Sequence, residues 1–262
     1  MPAANADFDV DTRVGPPGGA TNGSPSTSPL PQAAQKGVGR STLMFGGAHQ
    51  TARAKLTLIR GDGEDGVSFT LAGDEHTAGR GECPISFPDD PFLSPTHANF
   101  LYRGKELVVR DEGSLNGVYV RIAGSVELAA GATVLVGEQV LTVAPAGQPE
   151  DLPDAEGTYY SASMPRAATL EIRQHLRGGA TGWVYRFAGD SAVVGREGND
   201  INFPEDPFIS GRHAELRIAD GVLSVTDLGS RNGTFVRVTG ERVLQHGDYV
   251  FLGQQLLRVE IV

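Results

Sequence analysis

"FPDDPFLSPTHA" at 87–98 and "FPEDPFISGRHA" at 203–214 are two versions of one phrase in a chain of 262 residues. Neither version reads as a helix, because the prolines and paired acids interrupt any apolar stripe of period 3.6. Each reads as a loop running into a strand. The register extends well outside the phrase. Gly79 and Gly195, Ser94 and Ser210, His97 and His213, Asp111 and Asp227, Asn116 and Asn232, and Gly137 and Gly253 are all 116 apart. The chain therefore carries an internal duplication without insertion or deletion over that span. A period this long marks two tandem domains, since solenoid repeats recur every ~20–50 residues.

Both copies are built of short β-like segments. "KLTLIR", "VSFTL", "ELVVRD" and "TVLVG" in the first have counterparts such as "ATLEIRQ", "AELRIA", "VLSVTD" and "DYVFLG" in the second, separated by Gly- and Asp-rich turns. Many short alternating strands with regular turn signals predict an all-β protein of sandwich type. The clearest hairpin is "LRIADGVLSV", where Asp220-Gly221 supplies the positive backbone angles of a tight turn. The expected domains cover 53–145 and 167–262, joined by an acidic, proline-containing linker at 146–166. Residues 1–52 are rich in Pro, Gly, Ser and Thr without apolar periodicity, the composition of a disordered tail. Its one apolar island, "STLMFGG" at 41–47, is expected to add a strand to the sandwich.

Composition narrows the function. A net charge of −10 argues against a broad nucleic-acid or anionic-membrane surface, while leaving room for a local basic pocket. The single cysteine, Cys83, excludes an internal disulfide and fits a reducing, cytoplasmic setting. Its counterpart is Asn199, which favours a filler over a nucleophile. No apolar run approaches the ~18 residues of a membrane helix, and the N-terminus lacks the apolar core of a signal peptide. Six histidines without clustered ligand spacing predict no metal site, and no cofactor is indicated.

Three clusters recur in each copy, all in or beside turns: Gly79-Arg80, Ser94 to His97 and Asp111 to Gly117, then Gly195-Arg196, Ser210 to His213 and Asp227 to Thr234. Loops at one end of a sandwich converge on one surface. The residue types suit an anion. Arginine holds phosphate through a fixed fork of donors, serine adds a hydroxyl, and asparagine offers the donor and acceptor that a peptide backbone requires. There is no glycine-rich P-loop with lysine, and no G-x-S-x-G around either serine. Histidine only three residues after serine on one segment is poor geometry for a hydrolase triad.

The order Gly-Arg, Ser-x-x-His, Asp-x-Gly-Ser-x-Asn-Gly resembles the signature of the forkhead-associated (FHA) domain family, and "DLGSRNGTFV" at 227–236 matches it closely. The resemblance implies sandwiches of about eleven strands that bind phosphothreonine peptides through loops at one end. It places Arg196 and Ser210 on the phosphate and Asn232 on the peptide backbone; Arg212 and Arg231 beside them are further candidate phosphopeptide contacts, and a position beside a strand leaves both directions open to Arg212. The same roles fall on Arg80, Ser94 and Asn116. Gly79, His97, Gly117, Gly195, His213, Gly233 and Thr234 support the loops. The implied partner is a threonine-phosphorylated protein or peptide, in the company of a Ser/Thr kinase.

The first copy departs from the signature. Pro95, Leu115 and Val118 stand where the second copy has Gly211, Arg231 and Thr234. Proline has neither side-chain donor nor N–H. The second domain is therefore expected to be the phosphothreonine reader, and the first a weaker site or a scaffold that acts without phosphate. Asp89-Asp90 and Glu205-Asp206 read as solvated turn residues. Thr12 is a candidate phosphosite whose tail would reach back to the first domain, with Thr42 and Thr158 as rivals.

Overall fold

The computed structural model describes residues 53–262 except 62 and 149. Thr12, Thr42 and the island at 41–47 lie outside the described residues. The first repeat supplies β1 (Ala54–Ile59), β2 (Asp65–Leu71), β3 (Glu75–Gly79), β4 (Ile85–Ser86) and β5 (Ala98–Arg103). It continues with β6 (Glu106–Asp111), β7 (Val118–Arg121), β8 (Ser125–Leu128), β9 (Ala132–Val136) and β10 (Gln139–Pro145). The second repeat supplies β11 (Leu170–His175), β12 (Thr181–Phe187), β13 (Ser191–Gly195), β14 (Ile201–Asn202) and β15 (Ala214–Ala219). It ends with β16 (Val222–Asp227), β17 (Thr234–Arg237), β18 (Glu241–Leu244), β19 (Tyr249–Leu252) and β20 (Gln255–Ile261). The all-β expectation holds, with no helix among the described residues. Asp220 (φ 51°) and Gly221 (φ 80°) turn β15 into β16, as the Asp-Gly pair predicts.

The strands form two sandwiches, but each is shared between the repeats. A ten-stranded sheet runs β12-β11-β10-β9-β17-β7-β19-β20-β1-β2. Two five-stranded sheets, β18-β6-β5-β3-β4 and β14-β13-β15-β16-β8, complete the two sandwiches. Strand β1 pairs along its whole length with β20, and β10 with β11. Likewise β6 pairs with β18 and β16 with β8. Each repeat thus surrenders its last three strands to the other.

The exchange can be located to a single residue step. Val118 and Val120 of β7 point into one core, and Ile122 enters the other. In reverse, Val236 of β17 belongs to the second core and Val238 to the first. Inward positions recur every second residue of a strand, so one pleat carries the chain from core to core. The two crossing strands pair antiparallel, with Val236 opposite Val120 and Phe235 opposite Arg121. On the reverse face Tyr119, Leu135 and Phe235 cover the joint, and the Phe235 and Phe251 rings lie 5.9 Å apart.

The first core therefore takes residues 54–120 and 238–259, and the second takes 122–236 as one continuous stretch. The sequence repeats at 53–145 and 167–262 do not coincide with these cores. The strands on either side of the 146–166 segment, β10 and β11, are paired neighbours in one sheet. Each repeat supplies ten strands, close to the expected number of about eleven.

Candidate functional site

Each set of three motif loops stays within one sandwich, because all three precede the crossing point. In the first sandwich, the end of β3 runs tightly under the serine loop. The Arg80 N–H donates to the Ser94 carbonyl at 3.0 Å, and the Gly81 N–H to the Pro95 carbonyl at 2.9 Å. A Cβ on Gly79 would collide with the Pro95 and Ser94 carbonyl oxygens, which is why glycine stands there. In the second sandwich the Arg196 N–H reaches the Ser210 carbonyl at 3.0 Å, and a Cβ on Gly195 would strike the Gly211 carbonyl.

The third loop is tied to the serine loop in two places. The Ser94 hydroxyl accepts from the Leu115 N–H at 3.2 Å, and the Ser210 hydroxyl from the Arg231 N–H at 3.0 Å. One carboxamide N–H of Asn116 donates to the Phe92 carbonyl, and one of Asn232 to the Phe208 carbonyl, both at 2.7 Å. Each carboxamide keeps its other N–H and its oxygen chemistry for a ligand.

His97 and His213 are the pins of this assembly. The Ser94 N–H donates to Nδ1 of His97 at 3.1 Å, so that nitrogen is unprotonated and Nε2 donates to the Gly117 carbonyl at 3.0 Å. His213 bridges the Ser210 N–H and the Gly233 carbonyl in the same way, at 3.1 Å on each side. Both rings are fully buried, and burial holds both imidazoles below their usual pKa against the opposing pull of the glycine carbonyl bonds. With both ring nitrogens bonded to backbone, neither histidine accepts from the serine hydroxyl, and the Ser–His pair is not arranged as nucleophile and base.

The asparagine turns are shaped by the aspartates. The Asp227 carboxylate accepts from the Gly229 and Ser230 N–H groups, both at 2.9 Å, and from the Ser230 and Thr234 hydroxyls at 2.6 and 2.7 Å. Burial opposes its ionisation, but those bonds outweigh burial and hold the carboxyl below the usual range. The Asp111 carboxylate keeps the bond from the Ser114 N–H at 2.8 Å, while Val118 brings no hydroxyl.

The Arg196 guanidinium lies against the serine loop, donating to the Ile209 carbonyl at 2.7 Å. Arg212 and Arg231 are exposed and form no ion pair among the described residues, nor does Arg80. The first site puts Thr96 and Leu115 where the second has Arg212 and Arg231, and Leu115 is 86% exposed.

Three anchoring groups were not legible in the sequence. Asp90 and Asp206 are not solvated; each is only 4% exposed. Asp90 accepts from the Phe92 and Gln254 N–H groups and the Gln255 carboxamide, at 2.9, 2.7 and 2.8 Å. Asp206 accepts from the Phe208 and Glu138 N–H groups and the Gln139 carboxamide, all at 2.8 Å. Each acid thus fastens its serine loop to the hairpin that the other repeat contributes. Asn199 donates to the Gly211 carbonyl at 2.7 Å, lacing the arginine loop to the serine loop. Cys83 in its place donates only to the carbonyls of Gly81 and Ile85, and burial pushes its thiol up, consistent with a filler.

The FHA domain family model matches residues 76–137 and 192–253. Each match begins in one sandwich and ends in the other. The chain is 33% identical over 110 residues to the glycogen accumulation regulator GarA of Mycolicibacterium smegmatis, covering 40% of this chain and 68% of the relative. The chain belongs to the FHA domain family. Another FHA relative is the oxoglutarate dehydrogenase inhibitor of Corynebacterium efficiens, 36% identical over 92 residues, with 34% of this chain and 61% of that protein covered. The chain thus spans about three fifths of that relative's length. A solved structure described as "Structural and functional analysis of phosphothreonine-dependent FHA domain interactions" is 30% identical, covering 35% of this chain and 97% of that one, with a TM-score of 0.23.

Proposed function

We propose that this FHA protein is a phosphothreonine-peptide-binding adaptor whose main reader is the site of Arg196, Ser210, Arg212, Arg231 and Asn232. The observation that carries this reading is the placing of those five residues on three loops that hydrogen-bond one another, with none of the three arginines in an ion pair among the described residues. A phosphothreonine brings about −1.5 to −2 charges and three strong acceptors, which match three guanidinium groups and a serine hydroxyl. The Asn232 carboxamide, braced by the Phe208 carbonyl, is suited to hold the peptide backbone. Regulatory relatives and the backbone-bonded histidines both favour a binding module over an enzyme.

Arg80, Ser94 and Asn116 form a second, weaker site of the same kind. A charge-assisted hydrogen bond contributes about 1.5–3 kcal/mol, so the loss of two cationic positions lowers affinity at least about tenfold. A phosphate-independent scaffold role for the first site has one observation in its favour, the solvent-facing Leu115. Thr158, exposed in the 146–166 loop, and Thr12 in the tail are the chain's own candidate ligands once phosphorylated by a Ser/Thr kinase.

The test is calorimetric titration of the full chain with a degenerate phosphothreonine peptide library and its unphosphorylated counterpart. Binding of the phosphorylated form alone is expected, with its stronger component lost in Arg196→Ala and only the weaker first site left. Equal binding of both forms would overturn the reading. Kinase-treated protein and its Thr12→Ala and Thr158→Ala variants, compared in the same titration, decide whether either threonine competes.

A further inference from the structure

We propose that Arg237, a residue of the second repeat, is a positioning residue for the first site, where it stands in for the hydroxyl that Val118 lacks. The proposal deepens the phosphopeptide reading of the first site and rests on it only for the binding half of its test.

The argument begins with the asymmetry of the two aspartates. In the second site, the Thr234 hydroxyl donates to Asp227 Oδ2 at 2.7 Å and the Ser230 hydroxyl to the same oxygen at 2.6 Å. Those bonds lock the loop whose next residues, Arg231 and Asn232, face the ligand. The first site has valine in place of that threonine, so one oxygen of a half-buried carboxylate lacks a hydroxyl donor that its counterpart has. An acceptor left without a partner in such a setting is destabilising. The structure supplies a partner from elsewhere: Nη2 of Arg237 lies 3.6 Å from Asp111 Oδ2.

Arg237 reaches that position only because β17 crosses β7. The pairing sets Arg237 opposite Tyr119, immediately beside Val118. Its side chain runs along Gly117, whose φ of +85° a side chain rarely adopts, and it fills the space where a Cβ would stand. The Gly117 N–H donates to the Ser114 hydroxyl at 2.9 Å, and the Ser114 N–H to Asp111, so the guanidinium holds the far end of one short hydrogen-bonded chain. Asn116 lies inside that chain. The counterpart, Arg121, packs on Gly233 in the same manner, but its guanidinium turns over the Tyr249 ring, 5.4 Å from the centroid. Asp227 already has its hydroxyl donors and needs no first-repeat substitute.

This assignment makes an unusual demand. A residue three positions after the second site must govern the first one. The experiment is amide hydrogen exchange on the full chain, comparing segments 111–118 and 227–234 in Arg237→Ala, Arg121→Ala, Arg237→Lys and the double variant Arg237→Ala with Val118→Thr. A partly exposed ion pair of this type corresponds to an opening equilibrium about two- to fivefold. Arg237→Ala is expected to speed exchange in 111–118 by about that factor and leave 227–234 unchanged. Val118→Thr should restore protection, since the new hydroxyl lies where that of Thr234 meets its aspartate, and Arg237→Lys should retain part of it. Faster exchange in 227–234 instead, or no rescue by Val118→Thr, overturns the proposal. The second readout is the phosphothreonine library titrated into Arg196→Ala, with and without Arg237→Ala. If Arg196→Ala binds no phosphopeptide while the exchange pattern is as expected, the phosphopeptide reading of the first site fails and the positioning role stands.

Discussion

The two sites share one skeleton and differ in what they present. Histidine pin, serine hydroxyl, asparagine brace and buried loop acid repeat with bond lengths that agree closely. Several exposed positions do not repeat: Arg212 and Arg231 in one site stand against Thr96 and Leu115 in the other. Half-buried Asn199 and buried Thr234 likewise stand against Cys83 and Val118. Between the repeats, the bonds that hold the loops in shape are kept, while exposed positions such as 96/212 and 115/231 differ. Most of the buried polar groups repeat together, because removing one partner strands the others; Thr234 against Val118 is the exception, and there Arg237 approaches the stranded aspartate. An exposed arginine becomes a leucine at little cost to the fold.

The largest expected effect concerns the architecture under both sites. A fragment of residues 122–237 contains every strand of the second core and is expected to unfold cooperatively when heated. A fragment of 167–262, the second sequence repeat, lacks β10 and β8, which pair with one edge of β11 and of β16, and both partners of β17, and is expected to show no cooperative transition. Circular dichroism melts of the two fragments compare the strand-exchanged architecture with two self-contained tandem sandwiches. The reverse outcome would refute the exchange.

Next in size, Asp206→Ala removes three hydrogen bonds and leaves the Glu138 and Phe208 N–H groups unsatisfied. A loss of about 2–4 kcal/mol is expected from the denaturation midpoint, with a similar loss for Asp90→Ala. Were these acids solvated turn residues, the change would stay within about 0.5 kcal/mol.

A smaller effect follows from the histidines. Unfolded imidazoles titrate near about 6.5, and the folded values of His97 and His213 lie lower. Between those values the unfolded chain holds more protons, so stability is present in full above about pH 6.5 and is lost as pH falls toward the folded pKa. The slope is at most about 1.4 kcal/mol per pH unit for each ring. Urea midpoints from pH 7.5 downward measure it, and a flat profile through that window would contradict the buried neutral rings.

The smallest effect separates the two ligand faces. Leu115→Arg is expected to raise phosphopeptide affinity at the first site about three- to tenfold in an Arg196→Ala background, and Arg231→Leu to lower that of the second by a like factor. Unchanged affinities would place position 115 and its counterpart outside the ligand's reach.

The strands, the Asp220-Gly221 hairpin and the placing of both motif sets on converging loops were legible in alternation, turn residues and spacing. Asp90 and Asp206 were misread because acids between prolines usually face water, and their partners, Gln254 and Glu138, are more than sixty positions away. Asn199 was passed over because its counterpart is a cysteine with no comparable bond.

By itself, the sequence determined that this protein is built of two β-sandwiches, with one signature set of loops on each. Only the tertiary structure decided which strands complete which sandwich. The reason is symmetry: two homologous repeats offer the same edges, the same inward alternation and the same register, so β9 and β19 are equivalent partners for β7 in every local respect. What separates them is the direction in which residues 121–125 and 237–241 carry the chain across the joint, and that depends on both cores being formed together.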